Sequence, residues 1–141
     1  MKIVFFTETK FTGKYPRNFS NARTEICWQI ALNADHYPLS LDKEIDIDYD
    51  IGIAILPKKT NTYSINHLRR YCTKLLVQQE GPCDGWLDLP MQLQVEYFNA
   101  LQEADGILCH NSADTKYFKG LTGKEHVYKM PSLMLEDAID K

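Results

Sequence analysis

The chain has 141 residues and a formal charge of −3, enough for one domain that buries roughly two-thirds of its unfolded surface. A second full domain does not fit, and with no basic excess there is no long-range attraction to nucleic acid or anionic membrane, so any nucleic-acid contact must be local. No window approaches the apolar length of a membrane span, and the opening MKIVFFTETK turns polar too soon for a signal peptide. The expected location is therefore the cytoplasm, that of the host if the source is a virus. Cys27, Cys72, Cys83 and Cys109 form no C-x-x-C pair. Neither a zinc site nor a disulfide framework is indicated, and reduced thiols are expected.

Lys2 to Thr7 is an apolar, β-rich run that reads as a central strand. The polar loop from Glu8 to Asn18 holds one glycine, Gly13, so the G-x-G-x-x-G turn that wraps a dinucleotide is absent. The loop offers Lys10, Lys14 and Arg17 instead, with Arg23 further on. These cations suit an anion at a helix N-terminus or, equally, a solvated basic loop.

Apolar residues at Phe19, Ala22, Ile26, Ile30, Ala31 and Ala34 predict an amphipathic helix. His36 reads as a turn residue before a short strand at Leu39–Leu41. Asp46-Ile47-Asp48 has the form of a metal-carrying D-x-D, yet it precedes the strand Ile51–Leu56 and so lies at the amino end, away from the crevice of a parallel sheet. It reads as a solvated turn.

Ser64 is a candidate cap for a short helix through Leu68 and Tyr71. The run Leu75 to Pro90, LLVQQEGPCDGWLDLP, passes from a buried strand into Glu80, a Gly81-Pro82 breaker and a loop bearing Asp84 and Trp86. Loops at the carboxyl ends of parallel strands form the ligand crevice, which makes Glu80 the first candidate for chemistry, with a solvated carboxylate as the plain alternative. Asp88 and Pro90 open a helix to about Ala104 whose stripe of Leu93, Tyr97, Phe98, Leu101 and Ala104 is assigned to packing. Ile107–Cys109 is another strand, Asn111 or Ser112 caps the next helix, Gly120 and Gly123 punctuate its end, and Val127–Met130 is the last strand.

Strands alternating with helices predict an α/β, three-layer, Rossmann-like domain with a doubly wound, mostly parallel sheet, spanning 1–132, with 133–141 as a tail or the start of an interdomain linker. Glu8, Lys10, Arg17, Glu80, Asp84, Trp86, His110, Asn111 and Ser132 are then expected along one edge, with Trp86 as an aromatic platform for a hydroxyl-rich or base-containing ligand. The histidines at 36, 67, 110 and 126 lack ligand spacing, and neither a metal nor a cofactor is expected.

The run KLLVQQEGPCDGWLDLP, the helix MQLQVEYFNALQEA, then DGILCHNSADTKYFKGLTGK and VYKMPSLM, with the opening KFTGKYPRNFSNARTEICWQIALNADHYPL, resemble the N-terminal domain of GT-B glycosyltransferases, particularly small ones of phage type. The resemblance covers essentially the whole chain. It implies an acceptor-holding half whose partner domain holds the nucleotide-sugar donor, with an acidic residue, Glu80 or else Asp84, as general base for inverting transfer. It further implies that Lys10, Arg17 and Asn111 bind the acceptor or neutralise departing phosphate, while Trp86 stacks on a sugar or base. The donor-binding half is missing, so a lone chain is expected to be inactive. A partner chain supplying the second domain, a homodimer, and nucleic acid solely as acceptor are the partners the resemblance leaves open. Two readings of other classes stand beside it: a stand-alone module binding a nucleotide or sugar metabolite, and a self-associating interaction domain.

Overall fold

In a computed structural model, residues 1–16, 24–40, 48–56, 62–79 and 85–131 are described. They form a six-stranded sheet in the order β2-β1-β3-β4-β5-β6. The strands are β1 (Ile3–Thr7), β2 (Asp35–Pro38), β3 (Tyr49–Leu56), β4 (Cys72–Gln79), β5 (Gly106–Cys109) and β6 (Val127–Lys129). Every ladder between them is parallel. The helices are α1 (Thr24–Ala31), α2 (Thr62–Leu68), α3 (Met91–Glu103) and α4 (Ser112–Thr122). This is the expected α/β, Rossmann-like architecture, and the order reverses between β1 and β3, the point at which such sheets open a crevice.

Alternation along the strands divides the core. Val4, Phe6, Ala54, Leu75, Val77, Ile107, Cys109 and Val127 pack with Ile65 and Leu68 of α2, Tyr97 and Leu101 of α3, and Phe118 of α4. Phe5, Ile53, Ile55, Leu108 and Met130 form a second cluster, against which Trp28 of α1 packs. The Trp28 indole also donates to the carbonyl of Pro131, 2.9 Å away.

The elements depart from expectation where side chains disguise the pairing. The second strand is Asp35–Pro38 rather than Leu39–Leu41, which begins instead as a turn at Leu39 and Ser40. His36 is therefore a fully buried strand residue and not a turn residue. β4 starts at Cys72, three residues before Leu75, because β3 pairs with it from Tyr49 onward. Ser64 lies inside α2 and does not precede it. Asp88 belongs to a 3₁₀ turn, Gly85–Asp88, and α3 begins after Pro90 with no side-chain cap. Gln94 anchors that entry from within the helix, its amide donating to the carbonyls of Leu87 and Leu89 at 2.8 and 2.7 Å. Asn111 does cap α4, its side chain accepting from Asp114 N at 2.8 Å, and Gly123 closes the helix in the left-handed conformation at φ 71°.

Candidate functional site at the carboxyl edge of the sheet

The ladder registers align the strand ends. Phe6 pairs with Ala54, Ala54 with Val77, Val77 with Ile107 and Ile107 with Val127. Two residues further, Glu8, Leu56, Gln79, Cys109 and Lys129 stand in one row, with neighbouring strands spaced about 5 Å apart. The crevice rim is this row together with the residues that follow it.

Glu8 and Lys10 are exposed at the end of β1, and His110 and Asn111 follow β5, the histidine half-buried and the asparagine exposed. Arg17, Arg23, Glu80, Asp84 and Ser132 lie outside the described residues, as do Asp46 and Ile47. What the fold fixes is that Glu80 follows Gln79, the terminal residue of β4, in the middle of the row.

Three of the expected contributors are arranged differently from the reading of the sequence. Trp86 is 8% exposed, its ring stacks with Tyr97 and its indole N–H donates to the Tyr117 hydroxyl at 3.2 Å. It is built into the packing against α3 and α4 and is no open platform. The Asn111 amide is engaged with Asp114, so its first task is to start α4. Lys14 does not join Lys10, because the loop after β1 folds back beside β2. There Gly13 and His36 exchange backbone hydrogen bonds at 3.0 and 2.8 Å, and Gly13 takes φ 114°, open to glycine and unfavourable for other residues. Lys14 is thus carried to the amino end of β2, where it pairs with Asp35 at 3.0 Å. Burial raises the Asp35 carboxyl, but hydrogen bonds from Lys14 and Tyr49 outweigh it and hold the group below its ordinary value.

A buried polar relay fixes the loop to the sheet. The Thr7 hydroxyl lies 2.7 Å from His36 Nε2 and accepts from the Thr9 amide, while His36 Nδ1 lies 2.5 Å from the carbonyl of Phe11. A carbonyl only accepts, so Nδ1 carries a proton, and in the neutral tautomer Thr7 donates to Nε2. Phe11 and Tyr15 stack on one another and lean on the same imidazole. The sequence hides this relay: a single histidine 29 residues from its threonine carries no motif.

Among the described residues no group of three His, Cys, Asp or Glu side chains could hold a metal ion, and no helix is long and apolar enough to cross a membrane. What the edge offers is a carboxylate and an ammonium after β1, a helix N-terminus after β5 and a parallel-sheet crevice between them. Such a set can orient a polar ligand and bear its negative charge. No family model matches the chain, and neither curated proteins nor solved structures yield a significant match.

Proposed function

We propose that this chain is the acceptor-side half of a glycosyltransferase, moving a sugar from a nucleotide-sugar donor to a hydroxyl acceptor once a donor-binding domain completes the cleft. The supporting observation is the all-parallel sheet whose reversal at β1 and β3 opens beside the row that leads into Glu80. The likeness of the 74–90, 91–104 and 105–124 segments to GT-B N-terminal domains points the same way.

In this reading Glu80, or else Asp84, takes the acceptor hydroxyl's proton while its oxygen attacks the anomeric carbon. The bond from that carbon to the donor phosphate breaks, and the nucleoside diphosphate departs with the electron pair. Lys10 and Arg17 bear part of the developing phosphate charge. Donor and acceptor must be held in one geometry, so the half alone does not turn over.

The test joins the chain to the donor-binding domain of a GT-B enzyme and follows transfer to a panel of hydroxyl acceptors by mass spectrometry. Turnover is expected only in the joined protein, and Glu80→Gln should lower it by about a hundredfold or more while acceptor affinity in the lone chain is kept. Transfer indifferent to both Glu80→Gln and Asp84→Asn would sink the assignment. Saturable binding of a nucleotide-sugar by the lone chain, with no transfer after joining, would show a stand-alone binding module instead.

A further inference from the structure

A second polar concavity lies at the outer end of the same edge. Ser112, Thr115, Lys116 and Lys119 of α4 and Lys129 of β6 line a space of about 310 Å³. Lys116 and Lys119 are three residues apart and share a helix face, and β6 is the last strand of the sheet, so Lys129 meets them from its outer end. Among the described residues no carboxylate lines the space, and none is an ion-pair partner of the three lysines. Three other cations of the chain are engaged: Lys14 with Asp35, Arg69 with Asp105, and Lys124 with the carbonyl of Ala104.

Three ammonium groups lining one hollow repel one another over a screening range of about 8 Å at physiological salt. An edge strand often carries a lysine against unwanted strand pairing, which would explain Lys129 alone. It does not explain two more lysines turned to the same hollow, beside the Ser112 hydroxyl at the first turn of a helix. Three point-charge donors with hydroxyls nearby match the oxygens of adjoining phosphate groups.

We propose that this concavity binds phosphate groups of a ligand carrying at least two of them. The residues differ from those of the sugar-transfer reading, and the site stands or falls independently of it. A free polyphosphate and the backbone of a nucleic-acid strand present the same chemistry, and the experiment separates them.

Tripolyphosphate and a single-stranded oligonucleotide of about twelve residues are titrated into the chain by calorimetry at 50 and 200 mM salt. Saturable binding is expected for at least one probe, weakened about tenfold or more in K116Q/K119Q/K129Q and kept in the triple arginine variant, with thermal stability unchanged in both because the lysines are exposed. Lys74→Gln, an exposed lysine outside this lining, should leave binding as it is. An oligonucleotide that binds more tightly, with a salt slope falling by about 2 in the triple glutamine variant, identifies a nucleic-acid backbone; tighter tripolyphosphate identifies a free polyphosphate. No saturable binding of either probe at the lower salt, or binding undiminished in the glutamine variant, overturns the proposal.

Discussion

Thr7 and His36 meet across β1 and β2 with a hydroxyl 2.7 Å from a ring nitrogen, at 7% and 0% exposure. Through Nδ1 the same ring holds the carbonyl of Phe11, so one side chain joins the central strand, the edge strand and the loop that starts at the crevice. Thr7→Val removes the hydroxyl and keeps the shape. Taking it from a buried nitrogen should cost about 1–3 kcal/mol in urea unfolding, and Thr7→Ser should recover much of it. A valine variant as stable as the parent would show that the bond contributes nothing.

The cap of α4 gives a smaller effect. Asn111→Ala deprives the Asp114 amide of its acceptor and should lower stability by about 1 kcal/mol, whereas Asn111→Ser should retain most of it. Hydrogen exchange at the first turn of α4 is the readout, and unchanged protection there would argue against the cap.

Gly52 is packed from three sides. A Cβ at this position runs into Cys72 Sγ and comes within 3.2 Å of both Leu75 Cδ1 and Phe6 Cε2. Gly52→Ala should therefore destabilise by about 1–3 kcal/mol. Adding Cys72→Ala clears the nearest obstacle, so the double variant should lose less than the sum of the singles, a coupling that strict additivity would refute.

Alkaline pH acts on two buried phenols and a partly buried thiol. Burial, with a contribution from Asp105, pushes the Cys72 thiol up to about 12 from an ordinary 9.0. Burial likewise raises the phenols of Tyr97 and Tyr49, the latter also because its hydroxyl donates to Asp35. Above about pH 9 the unfolded chain gives up these protons while the folded one keeps them. Stability from these groups is therefore fully present below that pH and is lost as pH rises. Urea midpoints should fall steadily between about pH 9 and 11, and a flat profile would contradict the burial of these groups. In the same range Cys72 should resist iodoacetamide until the chain unfolds.

Gln29 is 1% exposed, and neither polar atom of its side chain has a hydrogen-bond partner among the described residues. Methionine has nearly the same shape without the amide. Gln29→Met should thus hold or raise stability, by up to about 2 kcal/mol, where most core substitutions lower it. A loss of more than about 1 kcal/mol would reveal a partner for the amide.

The sequence exposed the parts of the fold that rest on apolar runs. Residues 4–7, 52–55 and 107–109 are buried at every position, and Leu75 and Val77 flank a half-buried Leu76, so the apolar composition of these runs points to parallel strands. β2 escaped because DHYP holds an aspartate and a histidine that look solvated. Only pairing with β1 and Gly13, and the bond from Thr7, make that segment a strand. The entry of α3 escaped for a similar reason: Gln94 anchors it from inside the helix, a role no terminal pattern announces. At the site, strand order puts Glu8 and His110, the residues that follow β1 and β5, at one edge, whereas the burial of Trp86 and the diversion of Lys14 arise from distant packing partners. The lysine hollow joins α4 to β6, a juxtaposition visible only after folding.

The bond from Trp28 to the carbonyl of Pro131 spans 103 residues of chain. On a ribosome adding roughly 5–20 residues per second, the first helix must wait about 5–20 s before its last partner exists. Through that interval its side of the sheet is without Leu108 and Met130, the later members of the cluster it belongs to. The polypeptide is therefore expected to stay open to chaperones until synthesis passes the sixth strand, and truncations short of Pro131 should leave α1 poorly protected even though every residue of that helix is present.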